Sequence, residues 1–432
     1  MTPLPRVYHG PPVLGSFVIM SRQTQPTTQP DDFAFGLAGQ GPRRWLALGP
    51  HQAIGLKNRA IVDRLCQQMT QNDARQNADN ALRQWQQWHD AGLSVAGYLG
   101  YDLGAALEDL PPQTNHSLLA DVDLIAFHAR DLQPLELPSM QAQPPLDLPE
   151  TLLNQREMFL AQVEQALECI RAGEIYQVNL SVAAQLPFLH PRTITEQLAA
   201  ILAVQAVPYA MVWKAPEFTL LSGSMEQFLR VQGDHVQTRP IKGTAKRAAG
   251  QADQQAAHQL QTSEKERAEN TMIVDMARND LQRVSHFGSV QVKALCEPTP
   301  YATLWHLESE VHGKLRNPAD RQELLRATLP PASVTGCPKI QATQVIARLE
   351  KRWRGPYCGA LGVDIAGQPL EIFGQGLDLA VGIRQVWLTA DRAELQVGAG
   401  IVAQSQPLRE WQELCLKAES ALRLLGTLKD CA

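Results

Sequence analysis

The stretch Pro240-Ile241-Lys242-Gly243-Thr244-Ala245-Lys246-Arg247 decides how this chain is read. It follows the strand-like His235-Val236-Gln237-Thr238-Arg239, and its proline and glycine predict a bend that takes Lys242 out of a regular ladder. A lysine gives up its charge when it is desolvated or crowded by cations, and Lys246 and Arg247 are the neighbouring cations. An uncharged amine at Lys242 is a nucleophile; a solvated surface lysine is the plainer alternative.

Around this stretch the chain is that of a large globular protein. Its 432 residues are 44% hydrophobic and 19% charged, enough for a sizeable core arranged as two lobes or as one large two-layer domain. A net charge of -5 argues against a nucleic-acid partner. No apolar run is long enough to span a bilayer and the N-terminus lacks a signal-peptide pattern, so the expectation is a cytoplasmic protein without a membrane partner. Seven scattered cysteines with no C-x-x-C pair suit neither a disulfide framework nor a zinc site.

The proline-rich segment at 133–153 divides the chain, giving an N-terminal lobe at 1–145 and a second region at 146–432. In the first, 13–20 reads as a strand, 60–90 as a surface helix or helix pair, 97–102 as a strand with close-packed glycines, and 123–128 as another strand. In the second, Phe159, Val163, Leu167 and Ile170 mark a helix that stops at Gly173. Strands follow at 175–181, 209–213 and 218–223, with a helix near 193–205 between them.

Two later helices carry paired carboxylates. Ser263-Glu264-Lys265-Glu266 is a capping box opening a helix on which Glu266 and Glu269 share a face. Ser405-Gln406-Pro407 opens another that is expected to end at Gly426 and carries Glu410, Glu413 and Lys417. Oxygen-only donors from two helices suit Mg²⁺, although E-x-x-E is also common on solvated helices. Anions have candidate sites of their own. Ser333 to Lys339 precedes a predicted helix at 340–351, Gly398 and Gly400 lie in a strand that permits close backbone approach, and Arg384 offers a fork for a carboxylate. The glycines equally suit a packing bulge, and Arg384 an internal salt bridge.

In this order the pieces resemble the chorismate-utilising enzymes, which include anthranilate, aminodeoxychorismate, isochorismate and salicylate synthases. The resemblance rests on 176–181, 240–247, 268–275, Arg278-Asn279-Asp280, 333–339, Arg354-Gly355-Pro356-Tyr357-Cys358-Gly359 and 398–402, with Gly100-Tyr101-Asp102-Leu103-Gly104 in the first lobe. It implies an α+β fold, a large two-sheet antiparallel core flanked by helices, with the active site between the sheets. Water-adding members carry a lysine where this chain has Gln177, and Lys242 itself matches the aminodeoxychorismate branch; anthranilate synthase component I is the alternative.

The resemblance further implies an uncharged Lys242 as covalent nucleophile and Glu226 as proton donor. Thr244 lies beside the ring and His306 near C1. Tyr357, Arg384, Gly398, Gly400, Lys417 and Ser333 contact substrate. Glu269 and Glu413 hold Mg²⁺, supported by Glu266 and Glu410. The substrates implied are chorismate and ammonia. Because no glutaminase elbow is present, ammonia is expected from solution or from a separate glutamine amidotransferase subunit in a heterodimer. One departure lies beside the site: the family's A-I-R-T reads Gly382-Ile383-Arg384-Gln385 here.

Overall fold

Strand-forming segments from both halves of the chain pair into two extended antiparallel sheets. The computed structural model describes residues 71–108, 122–128, 147–186, 194–204, 207–215, 218–301, 304–370, 374–389 and 391–423, with short strands at 17–20, 33–35, 46–48, 59–62 and 133–134. Among these, the first sheet runs Phe17–Met20, Arg59–Val62, Val122–Phe127, Ser94–Leu99, Ala360–Leu370, Gly374–Val381, Gln227–Gln232, His235–Arg239, Leu304–Lys314 and Ile241–Lys246, and Gln291–Pro300 also pairs with Leu304–Lys314. The second runs Gly336–Cys337, Gln177–Leu186, Ala393–Val402, Gln385–Thr389, Phe218–Ser224, Tyr209–Lys214, Phe33–Phe35, Leu46–Leu48 and Gln133–Pro134. The fold is the expected α+β architecture. Both sheets cross the 145/146 division: Val95 in one segment pairs with Asp364 in the other. Most of the proline-rich segment, the polar tract after Met20 and the expected helix end at Gly426 lie outside the described residues.

The amphipathic helices cover these sheets. Arg156–Arg171 buries Phe159, Val163 and Leu167 as its periodicity predicts, and Phe159 meets Trp411 of helix Pro407–Leu422 at 5.8 Å between ring centroids. Two sequence expectations need correction. Helix Gln71–Asp90 is not a surface helix: Trp85 is fully buried, and its Nε1 donates to Asp364 Oδ2 at 3.2 Å, an acceptor shared with Arg321. The glycine-rich 97–102 stretch is strand only to Leu99, because Tyr101–Leu107 turns into a helix whose Asp102 carboxylate faces inward.

That carboxylate belongs to a fully buried cluster around Arg354. The guanidinium pairs with both Glu350 oxygens at 2.7 and 3.0 Å and donates to Asn179 O at 2.6 Å and Val334 O at 3.1 Å. It also lies over the Tyr101 ring at 4.5 Å. Asp102 Oδ2 accepts from the backbone N–H groups of Arg354 and Gly355 at 3.0 and 2.8 Å. One arginine therefore ties the N-terminal lobe, the second sheet, helix Lys339–Glu350 and the loop holding Ser333. Breaking a buried pair leaves one uncompensated charge, so Glu350→Ala is expected to destabilise the protein by about 3–5 kcal/mol. An unchanged urea midpoint would remove this cluster from the account of stability.

Candidate active site

Lys242 lies between the two sheets. Strand Ile241–Lys246 pairs with Leu304–Lys314, and the register slips between Lys242 and Thr244. The expected bend is thus a bulge within a strand. Gly243 makes it possible: its φ is +79°, and a Cβ there would lie 2.9 Å from Glu266 Oε2. The half-buried Lys242 Nζ donates to Ser333 O at 2.9 Å. Lys246 and Arg247 do not act as its cationic neighbours. Lys246 is exposed, and Arg247 forks onto Asp253, lies 4.6 Å over Trp305 and donates to Tyr301 O.

Facing Lys242 across the gap is strand Ala393–Val402. A Cβ on Gly400 would lie 3.5 Å from Lys242 Nζ and 3.4 Å from Gln177 Nε2, so this glycine keeps open the space between amine and amide. Gly398 and Gly400 sit in regular register opposite Ser181 and Asn179, which rules out the bulge alternative. Gln177 is fully buried, and neither atom of its amide has a protein partner. Buried amides without partners are uncommon, and this one faces the space beside the Lys242 amine. The sequence marked Gln177 only as a branch signal; its place in the pocket needed the register of Val402 against Gln177.

Glu226 stands behind the amine, buried to 4% exposure. Burial pushes its carboxyl up to about 7, against a hydrogen bond from Ser333 and the attraction of Lys242 in its protonated form. His306 is 2% exposed and paired in register with Thr244, whose hydroxyl lies 3.1 Å from Nδ1. Nδ1 also lies 3.2 Å from Gly243 O, so it carries the proton as donor, and Nε2 is buried without a partner. Burial, with Arg384 and Lys417 adding to it, pushes His306 down to about 4.

The carboxylate-binding candidates gather at the other end. Gly382-Ile383-Arg384 carries the chain from Gly374–Val381 in the first sheet to Gln385–Thr389 in the second. Arg384 sits at φ +52° and Cys358, beside Tyr357, at φ +64°. Left-handed non-glycine residues are uncommon, and no sequence signal marked either of these. Arg384 Nη1 donates to Lys417 O at 3.1 Å, and Lys417 Nζ to Gly398 O at 3.3 Å. Tyr357 Oη would lie 3.1 Å from a Cβ on Gly398. Arg384 thus makes a backbone contact here in place of the salt bridge considered for it.

The two acidic helices form as expected. Glu264–Gln282 is capped by Ser263, whose Oγ accepts from Glu266 N, and Pro407–Leu422 begins at its proline. Burial raises Glu266, Glu269 and Glu410; Glu413 adds to the rise at Glu266 and Glu410, and Glu266 does so at Glu269. Glu413, half exposed, is lowered by Lys417 at 2.7 Å, against the effect of burial. Lys265 lies 3.8 Å from Glu269. Four mutually repelling oxygen donors are a set that a hard divalent cation satisfies. In the rotamers shown, among the described residues, no three acidic, histidine or cysteine side chains converge on one metal position. The two central glutamates are each paired with a lysine four residues away.

The family of chorismate binding enzymes matches residues 32–423, and the chain belongs to that family. It is 33% identical over 355 residues to the aminodeoxychorismate synthase component 1 of Salmonella typhimurium, covering 76% of each chain. It is 40% identical over 267 residues to an aminodeoxychorismate synthase of Streptomyces pristinaespiralis, covering 61% of this chain and only 36% of that one. The fold is similar to that of anthranilate synthase component I from Streptococcus pneumoniae, with a TM-score of 0.65 at 24% identity over 94% of this chain and 95% of that one. Among the described residues no helix is long and apolar enough to cross a membrane.

The raised Glu226 carboxyl has a consequence for stability. A carboxyl whose folded pKa lies above its unfolded value stabilises the fold while protonated, and that contribution fades as pH rises from about 4.5 through about 7. Glu226→Gln is therefore expected to gain on wild type over that window, by roughly 3 kcal/mol above pH 7. Parallel stability curves for the two proteins from pH 5 to pH 8 would contradict the shift.

Proposed function

We propose that this enzyme converts chorismate and ammonia to 4-amino-4-deoxychorismate through a covalent bond to Lys242. The observation that carries the reading is the placement of Lys242 Nζ, 2.9 Å from Ser333 O, beside a Glu226 that burial brings to about 7. The uncharged amine attacks C2 of the ring, the two ring double bonds shift, and the C4 hydroxyl leaves as water with the Glu226 proton. Ammonia then attacks C4, the double bonds shift back, and Lys242 departs as an amine. The proton released by the new C4 amine returns to Glu226, and the net change is chorismate plus ammonia to product plus water.

Arg384, Lys417 and Tyr357 orient the substrate's carboxylates, with Gly398 and Gly400 leaving room for the ring. Thr244 and the neutral His306 border the ring. Glu269 and Glu413, supported by Glu266 and Glu410, would hold a Mg²⁺ that neutralises the ring carboxylate. The ammonia source we propose is a separate glutamine amidotransferase subunit forming a heterodimer with this chain in the cytoplasm, and the product serves p-aminobenzoate and folate synthesis.

Lys242→Ala is expected to abolish product formation from chorismate, Mg²⁺ and ammonium while keeping the wild-type thermal melt; a fully active variant would rule out the covalent step. Anthranilate as the wild-type product would transfer the assignment to anthranilate synthase component I. Glu269→Gln should raise the Mg²⁺ concentration needed for half-maximal rate by about tenfold or more, as loss of a ligand does. Rates unaffected by chelation would refute the metal site.

A further inference from the structure

Gly382 and Gln385 are the two positions at which Gly382-Ile383-Arg384-Gln385 departs from A-I-R-T, and the structure brings them into contact. A Cβ on Gly382 would lie 2.3 Å from Pro356 O, 3.0 Å from Gln385 Nε2 and 3.2 Å from Gly359 O, so the amide and two carbonyls border one small space that the missing methyl leaves open. Gln385 is fully buried, and neither atom of its amide has a protein partner. The residues opposite it on the flanking strands are engaged elsewhere: Ser222 Oγ donates to Ile383 O at 3.3 Å, and Gln396 Nε2 to Glu394 Oε1 at 3.2 Å. Gly382 is in turn clasped by the loop that carries Tyr357, with Cys358 N donating to Gly382 O at 2.6 Å and Gly382 N to Gly359 O at 2.7 Å. Gln385 therefore stands where the loop of Tyr357 meets the crossover of Arg384, holding an uncommitted donor beside two loop carbonyls.

We propose that Gln385 is a positioning residue for a substrate carboxylate: when the carboxylate draws Tyr357 and Arg384 together, Gln385 Nε2 donates to Pro356 O and latches the loop. The proposal rests on the reading of Tyr357 and Arg384 as carboxylate contacts. Pro356 O already accepts from Gly359 N at 3.1 Å, and a carbonyl oxygen has a second lone pair for the amide. A buried amide without partners is costly, so the free protein carries a polar group that a bond to the loop would satisfy. Substrate binding gains that bond, and the two carboxylate contacts are then held at a fixed separation. Because the latch acts equally on bound substrate and transition state, its loss shows in KM and not in kcat.

Gln385→Met keeps the length of the side chain and removes its donor. It is expected to raise the KM for chorismate about tenfold, with kcat and the KM for ammonia near wild type. The free variant should melt at or above the wild-type temperature, since it no longer buries an unpartnered amide. The rise in melting temperature that saturating chorismate gives in the absence of ammonia should shrink in the same variant. A wild-type KM together with a wild-type ligand shift would overturn the latch while leaving the proposed reaction intact. A lowered melt of the free variant would overturn it as well, by marking a purely structural role. Gln396→Met is the control: an equal rise in the KM for chorismate would assign the amide to its strand neighbour in place of the loop. A wild-type protein that chorismate does not stabilise would overturn the carboxylate reading and the latch together.

Discussion

The buried guanidinium of Arg354 is the constraint on which the site's geometry depends. Its partners come from widely separated stretches: Glu350 one turn earlier, Asn179 from the second sheet, Val334 beside Ser333. Burial by itself disfavours ionising Glu350, yet Arg354 and Arg352 outweigh it and hold the carboxyl below its ordinary value. Because every acceptor in the cluster is committed, the loop carrying Val334 and Ser333 has little freedom. Ser333 in turn accepts Lys242 through its carbonyl and hydrogen bonds to Glu226 through its side chain. Lys242 is thus positioned through a chain of backbone contacts that starts at an arginine outside the pocket.

Within the pocket the charges are sorted by depth. Glu226 and His306, both deeply buried, are pushed by desolvation toward their neutral forms. The lysine and glutamate pairs, Lys417 with Glu413 and Lys265 with Glu269, lie nearer solvent, where charge is less costly to keep. Such an arrangement suits a substrate with anionic groups at its edge and proton transfers at its centre.

Much of this was legible from local patterns. Ser263 as a cap, the glutamate spacing and the apolar face of Arg156–Arg171 are set by residues within a turn or two of one another. The irregularity at Gly243 was readable as well, because glycine adopts a positive φ far more readily than other residues, although a bulge and a turn look alike in sequence. What was hidden depends on topology. Arg247 finds Asp253 only because the following helix folds back, and the buried Trp85 finds its acceptor only when Asp364 arrives from a distant strand. The left-handed backbone at Arg384 and Cys358 follows from bends whose shape is imposed by surrounding packing. The orphaned amide of Gln177 is visible only once two strands are aligned.

The first sheet interleaves early and late segments, and Trp85 and its acceptor Asp364 are 279 residues apart. During synthesis, the opening strands leave the ribosome long before the partners that complete their ladder exist. Contacts of such separation demand costly loop closure and form slowly. Until then Ser94–Leu99 presents an unpaired apolar edge, the kind of surface chaperones shield and aggregates recruit.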